Sequence, residues 1–155
     1  FDIKVYMPSH YSGSPEDQRA LNAFIRFSRA ANALELRLFQ RRELEDLTPS
    51  QFGVLETLYH LGSLCQGELS AKLLRSTGNM TLVLDNLEKR GLVRRERGLE
   101  DRRMVMIHLT GDGQKLIEAV FPRMLAAIRE EFGILDANEQ EELGRLCRIL
   151  GKKER

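Results

Sequence analysis

Apolar positions recur at helical spacing along most of the chain and switch to alternation in one short stretch. The sharpest helical pattern is Met80, Val83, Leu84 and Leu87, at i, i+3, i+4 and i+7, which puts all four on one face. Lys89 and Arg90 fall in the last turn, where cations meet the negative end of the helix dipole, and Gly91 supplies a left-handed stop. The opposite face carries Gly78, Asn79, Leu82, Asp85, Asn86 and Lys89, small and amide side chains that suit close approach to another surface. Beyond Gly91, Leu92 and Val93 lead into Arg94, Arg95, Glu96 and Arg97, and Gly98 opens a turn that runs to Asp101. From Met104 to Leu109 the pattern alternates, with Val105, Ile107 and Leu109 on one face and Met104, Met106 and His108 on the other. Ser76 to Thr110 thus predicts a helix followed by a two-stranded wing.

The flanking segments are helical too. Ser14-Pro15-Glu16-Asp17 reads as N-cap, proline at N1 and acids in the first turn of a helix running to about Leu44. Leu21, Phe24, Ile25 and Ser28, with Phe27, Leu34, Leu38 and Phe39, make its apolar stripe wide enough for burial on two sides, the second against a partner chain. Thr48-Pro49-Ser50-Gln51 is a capping box that starts a second helix with Phe52, Leu55, Leu58 and Tyr59, ending near Gly62. A third, short helix is expected from Cys65-Gln66, with Leu69, Leu73 and Leu74 as its apolar face. Two short helices joined by a tight turn form a helix-turn-helix. Thr110 to Gly113 begin another long helix, with Leu116, Ile117, Val120, Phe121, Met124, Leu125, Ile128 and Phe132, which Pro122 should bend. Asp136 to Glu139 cap a last helix with Leu143, Leu146, Ile149 and Leu150. Residues 1–13 read as an extended arm or a poorly ordered segment.

Charge adds function to this layout. The 155 residues carry a net charge of only +1, yet Lys89 to Arg103 hold seven basic and three acidic side chains, a local net of +4. Such concentration is the footprint of a phosphate-binding surface. No apolar run approaches the length of about 20 residues that spans a bilayer, so no membrane partner is expected. The opening Phe1-Asp2-Ile3-Lys4 has no signal-peptide layout, and without an initial Met the natural start is expected upstream. Cys65 and Cys147 form neither a disulfide framework nor a metal pattern, His10, His60 and His108 have no ligand spacing, and the expected compartment is a reducing cytoplasm. Phosphate loops, nucleophile elbows and HExxH motifs are missing, and no enzyme, cofactor or metal is expected.

With these pieces in order, the chain resembles the MarR family of winged-helix transcriptional regulators from Ser14 to Gly151. The resemblance is carried by Leu47-Thr48-Pro49-Ser50-Gln51-Phe52, by Gly78, Met80, Thr81, Leu84, Asp85, Leu87, Glu88, Gly91, Leu92 and Val93, and most specifically by the wing pattern Asp101-x-Arg103 followed by Ile107-x-Leu109-Thr110-x-x-Gly113. It implies a mainly α fold with a small β wing: a winged helix-turn-helix over about 46–111, flanked by long dimerisation helices over about 14–44 and 112–151. It implies a homodimer that places two recognition helices on a palindromic operator in double-stranded DNA, with half-sites about 34 Å apart. It also implies that Asp101 orients Arg103.

Read this way, the candidate DNA contacts are Ser76, Thr77, Asn79, Thr81, Leu82, Arg94, Arg95, Asp101, Arg102 and Arg103. Ser76 reads equally as the N-cap, Asn86 reads as solvated, and alternation lets only some of the strand arginines face DNA. Arg97, Lys72 and Arg75 are further phosphate candidates. Leu82 stands where many relatives place a basic or polar residue; it either packs on a thymine methyl or weakens base reading. A small-molecule effector would lie in a cleft near Phe24, Phe27, Phe39, Tyr59 and His60, residues that read otherwise as core. The expected function is a sequence-specific dimeric regulator, a ligand-responsive repressor. The alternatives are a winged helix that binds protein instead of DNA, and a redox switch through Cys65.

Overall fold

The structure, a computed structural model, describes residues 10–40, 46–74, 76–97 and 104–153, with only the backbone of Thr77. These residues form α1 (Pro15–Phe39), α2 (Pro49–Leu61), β1 (Leu64–Cys65), α3 (Gln66–Lys72), α4 (Thr77–Lys89), β2 (Val93–Arg97), β3 (Val105–Leu109), α5 (Gly111–Phe132) and α6 (Ala137–Lys152).

The helix starts follow their caps. Asp17 N–H donates to Ser14 Oγ at 3.1 Å. Gln51 N–H donates to Thr48 Oγ1 at 3.2 Å while Thr48 N–H donates to Gln51 Oε1 at 3.1 Å, the reciprocal box that the sequence predicts. α1 ends at Phe39 with Gln40 as C-cap, short of the expected Leu44, and residues 41–45 lie outside those described. α5 continues through Pro122 as one helix.

Two features depart from expectation. The sheet has three antiparallel strands in the order β1-β3-β2, where two were expected. β1 is a single pair of residues, Leu64 opposite Ile107 and Cys65 opposite Met106, too short to leave an alternating pattern. Leu74 is not on the apolar face of α3: the helix stops at Lys72, Leu74 takes a left-handed φ of 50°, and its side chain is 90% exposed. Leucine pays a steric cost there that glycine or asparagine would not.

The core sits where α2, α3, α4, β3 and α5 meet, around Val54, Leu55, Leu58, Leu69, Met80, Leu84, Leu87, Ile107, Ile117, Val120 and Met124. The four apolar residues predicted to share a face of α4 are all buried in it. The wing base is locked to α5 by a compact knot. Thr110 N–H donates to the Leu92 carbonyl at 3.1 Å, Thr110 Oγ1 donates to the Gly91 carbonyl at 2.6 Å, and Gly113 N–H donates to Thr110 Oγ1 at 3.0 Å. A Cβ built on Gly113 would lie 2.0 Å from the Leu92 carbonyl oxygen, so only glycine lets α5 approach the wing this closely. The Thr110-x-x-Gly113 pattern is therefore a packing device.

The long helices are covered on one side only. Ala33 is the one buried residue of α1, and α6 has none. Phe24, Phe27 and Leu36 on α1 and Leu143, Leu146 and Leu150 on α6 are exposed.

Candidate nucleic-acid interface

α4 buries one face and offers the other. Ser76 is its N-cap: Asn79 N–H donates to Ser76 Oγ at 3.3 Å. One turn on, Thr81 Oγ1 accepts from Gln66 Nε2 of α3 at 2.8 Å, which fixes the angle between the two helices of the helix-turn-helix. Gly78, Asn79, Leu82 and Asn86 are exposed on the side away from the core, and Leu82 is 61% exposed. Thr77 lies in the first turn, between Ser76 and Gly78.

The wing arginines divide as alternation requires. Arg95 turns toward α4, with its guanidinium 2.7 Å from Asp85 and 2.6 Å from Glu88, and its backbone N–H donates to Glu88 Oε1 at 3.1 Å. Burial works to lower the Arg95 pKa, but the hydrogen bonds and charges of Glu88 and Asp85 outweigh it and hold it above its ordinary value. Arg95, expected as a DNA contact, is thus occupied as a strut that ties β2 to α4 and neutralises both carboxylates of that helix flank. Arg94 and Arg97 are exposed. Arg94 pairs with Glu96, whose carboxyl is held below its usual value by that hydrogen bond, then by the charges of Arg94 and His108. Asp101, Arg102, Arg103 and Arg75 lie outside the described residues.

The Arg95 network and the Gln66–Thr81 bond escaped sequence reasoning. Each joins side chains from two elements, and no local period signals such a pair.

The five effector-cleft candidates do not share a cavity among those seen. Tyr59 lines a polar hollow of about 330 Å³ with Ser63, Arg94, His108 and Gln114, between α2, the sheet and the start of α5. Phe39 lines another of about 560 Å³ with Asn32, Leu36 and Pro49. His60 stacks edge-on with Tyr59 and with Phe121, ring centroids 5.0 and 4.8 Å apart. Phe24 and Phe27 are exposed on α1. An apolar hollow of about 260 Å³ lies between α1, the end of α5 and α6, lined by Ala33, Leu34, Phe132 and Leu143 among others.

Among the described residues no helix is long and apolar enough to cross a membrane, and no cluster of three His, Cys, Asp or Glu side chains could hold a metal ion. Cys65 and Cys147 are free thiols, both partly buried.

Comparison with known proteins agrees with this architecture. The MarR family model matches residues 47–105, the span from the start of the second helix to the first residue of β3. The chain is 32% identical over 128 residues to the HTH-type transcriptional regulator YkoM of Bacillus subtilis, covering 83% of each protein. It is 31% identical to the HTH-type transcriptional regulator MhqR of the same organism, over 86% of this chain and 92% of that one. Among solved structures, Sco3205 of Streptomyces coelicolor in complex with DNA superposes with a TM-score of 0.80 at 25% identity, over 92% of this chain and 90% of that one. A fold, a helix-turn-helix and two relatives matched over 83% and 92% of their length converge: the chain belongs to the MarR family of transcriptional regulators.

Proposed function

We propose that the chain is a homodimeric, sequence-specific DNA-binding repressor of the cytoplasm, released from its operator by a small molecule. The observation that carries the reading is the exposed face of α4, free of core duties and flanked by arginine-rich β2. Arg95 removes the repulsion that Asp85 and Glu88 would exert on phosphates. Asn79, Thr81 and Leu82 face the major groove, Ser76 and Thr77 approach the backbone at the helix start, and Arg94, Arg102 and Arg103 take phosphate or minor-groove positions, with Asp101 orienting Arg103. Sco3205, similar over nearly its whole length, was solved with DNA bound. α1 and α6 form the dimer over their uncovered apolar faces, with 46–111 as the DNA-binding unit between 14–44 and 112–151. An effector acts by binding the released geometry better than the DNA-bound one.

A salt titration tests the reading. DNA affinity that falls steeply with salt, with a log–log slope smaller by about one in Arg103→Ala, is the expected result. Affinity for duplex DNA that is weak at every salt concentration would favour the second reading, a protein-binding winged helix, for which the exposed Leu74 and Leu82 are the supporting observation.

A further inference from the structure

The outward face of α4 has an unusual chemistry for a surface that reads DNA. Leu82 stands at its centre, opposite the buried Met80, Val83, Leu84 and Leu87. Gly78 lies one turn earlier on the same line, and Asn79 and Asn86 flank them. Through Asn86 the face has no Lys or Arg; the first cation is Lys89 in the last turn. The commonest way to read guanine is a bidentate Arg or Lys on its N7 and O6, and α4 has neither where its first turns would enter the groove. What it does have matches the other base pair. Asparagine forms a bidentate pair with adenine, and an aliphatic side chain packs on the C5 methyl of thymine.

Gly78 adds an independent observation. A Cβ there would meet nothing within 4 Å, and no positive φ demands glycine. Glycine inside a helix costs stability relative to alanine, and no contact among the described residues accounts for it. Bare backbone one turn before Leu82 lets the helix sink far enough into a groove for that side chain to reach a methyl group.

We propose that α4 reads an A·T-rich half-site, with Leu82 seated on thymine C5 methyl groups, Asn79 pairing with adenine, and Gly78 allowing the close approach. The proposal rests on the DNA-binding reading above and goes beyond it by naming the bases.

The test uses the full chain and a duplex recovered with it from a random-sequence DNA pool. The duplex is made once with thymine and once with deoxyuridine, which differs only by the methyl group. Wild type is expected to lose about fourfold in affinity for each contacted methyl removed. Leu82→Ala, an exposed position where folding is not at stake, should bind more weakly and treat the two duplexes alike. Leu82→Gln, which keeps the bulk, should also lose the discrimination. Gly78→Ala should raise the thermal midpoint while weakening binding several-fold. Equal wild-type affinity for both duplexes, with steep salt dependence intact, would overturn the proposal and leave DNA binding standing. Recovery of G·C-rich half-sites, or tighter binding by Gly78→Ala, would overturn it as well. If no duplex binds with salt-dependent affinity, the DNA-binding reading itself falls and takes the proposal with it.

Discussion

Arg95 of β2 reaches back to Glu88 of α4 and meets it twice, through its guanidinium at 2.6 Å and through its backbone N–H at 3.1 Å. The wing and the helix before it are therefore held at a fixed angle by one residue, with Asp85 completing the clamp at 2.7 Å. This separates two jobs that the sequence had merged into one basic patch. Arg97 is outward and Arg94 is outward but paired with Glu96, whereas Arg95 ties β2 to α4 and cancels acidic charge on the α4 flank.

Replacing Arg95 by Ala is expected to destabilise the fold by about 1–2 kcal/mol, between the value of an exposed pair and that of a buried one. Lysine should not restore it, because an ammonium cannot form the fork that meets two carboxylates. Urea denaturation of the three proteins checks this. Unchanged midpoints in Arg95→Ala would mean that the clamp contributes nothing to stability.

Gly113 makes a sharper claim. A methyl group there would sit against the Leu92 carbonyl oxygen and carbon, backbone atoms that cannot turn aside. Gly113→Ala should therefore cost at least the 1–3 kcal/mol usual for an overpacked site. It should also loosen the Thr110 bonds that fix the wing base. The contrast with Gly78 gives the experiment its control: the same substitution, made in the same kind of helix, should stabilise at one position and destabilise at the other. Thermal unfolding of both variants decides it.

What could be read from the sequence was what short-range rules encode. The face made by Met80, Val83, Leu84 and Leu87 is buried as the 3.6-residue period requires, and Ser14, Thr48, Ser76 and Asp136 all cap their helices. The misses are non-local or too brief to repeat. β1 exists because Leu64 and Cys65 find β3 more than forty residues away. Leu74 leaves α3 where a hydrophobic count would continue it. Arg95 looked like its neighbours because composition records charge without direction. Asp101 and Arg103 rest on the resemblance and Arg102 on the local concentration of basic charge, and all three lie outside the described residues.

The start of α3 carries a pH dependence of known sign. The Glu68 carboxylate accepts from Cys65 N–H at 2.8 Å, and this bond, more than the nearby Lys72 charge, holds its pKa below the ordinary 4.5. A carboxyl lowered on folding contributes stability that is fully present above the unfolded value and fades as pH falls through the folded one. The acid limb of a stability–pH profile should thus begin just under 4.5. Glu68→Gln can still accept the bond but has no charge to lose, so its profile should be flatter there. Identical profiles for the two proteins, followed by unfolding midpoints between about pH 3 and 7, would remove Glu68 from the account of acid sensitivity.

α6 gives the most direct test of assembly. Leu143, Leu146 and Leu150 lie at i, i+3 and i+7 on one face, all exposed, in a helix with no buried residue. Leu146 is 45% exposed, so covering the rest of it is worth about half of the 1.5–3 kcal/mol of a fully buried leucine, and a twofold interface counts it twice. Leu146→Glu should therefore raise the dimer dissociation constant by at least about tenfold, and sedimentation at micromolar concentration should shift toward monomers. The fold of each chain should survive, because Leu146 is outside the core. Far-UV circular dichroism would confirm that. Glu141→Gln, on the opposite side of the same helix, should leave the dimer intact. A Leu146→Glu protein that still sediments as a dimer would place the interface elsewhere, and the apolar stripe of α6 would need another partner. Operator affinity should fall in parallel with dimerisation, since one protomer can reach only one half-site.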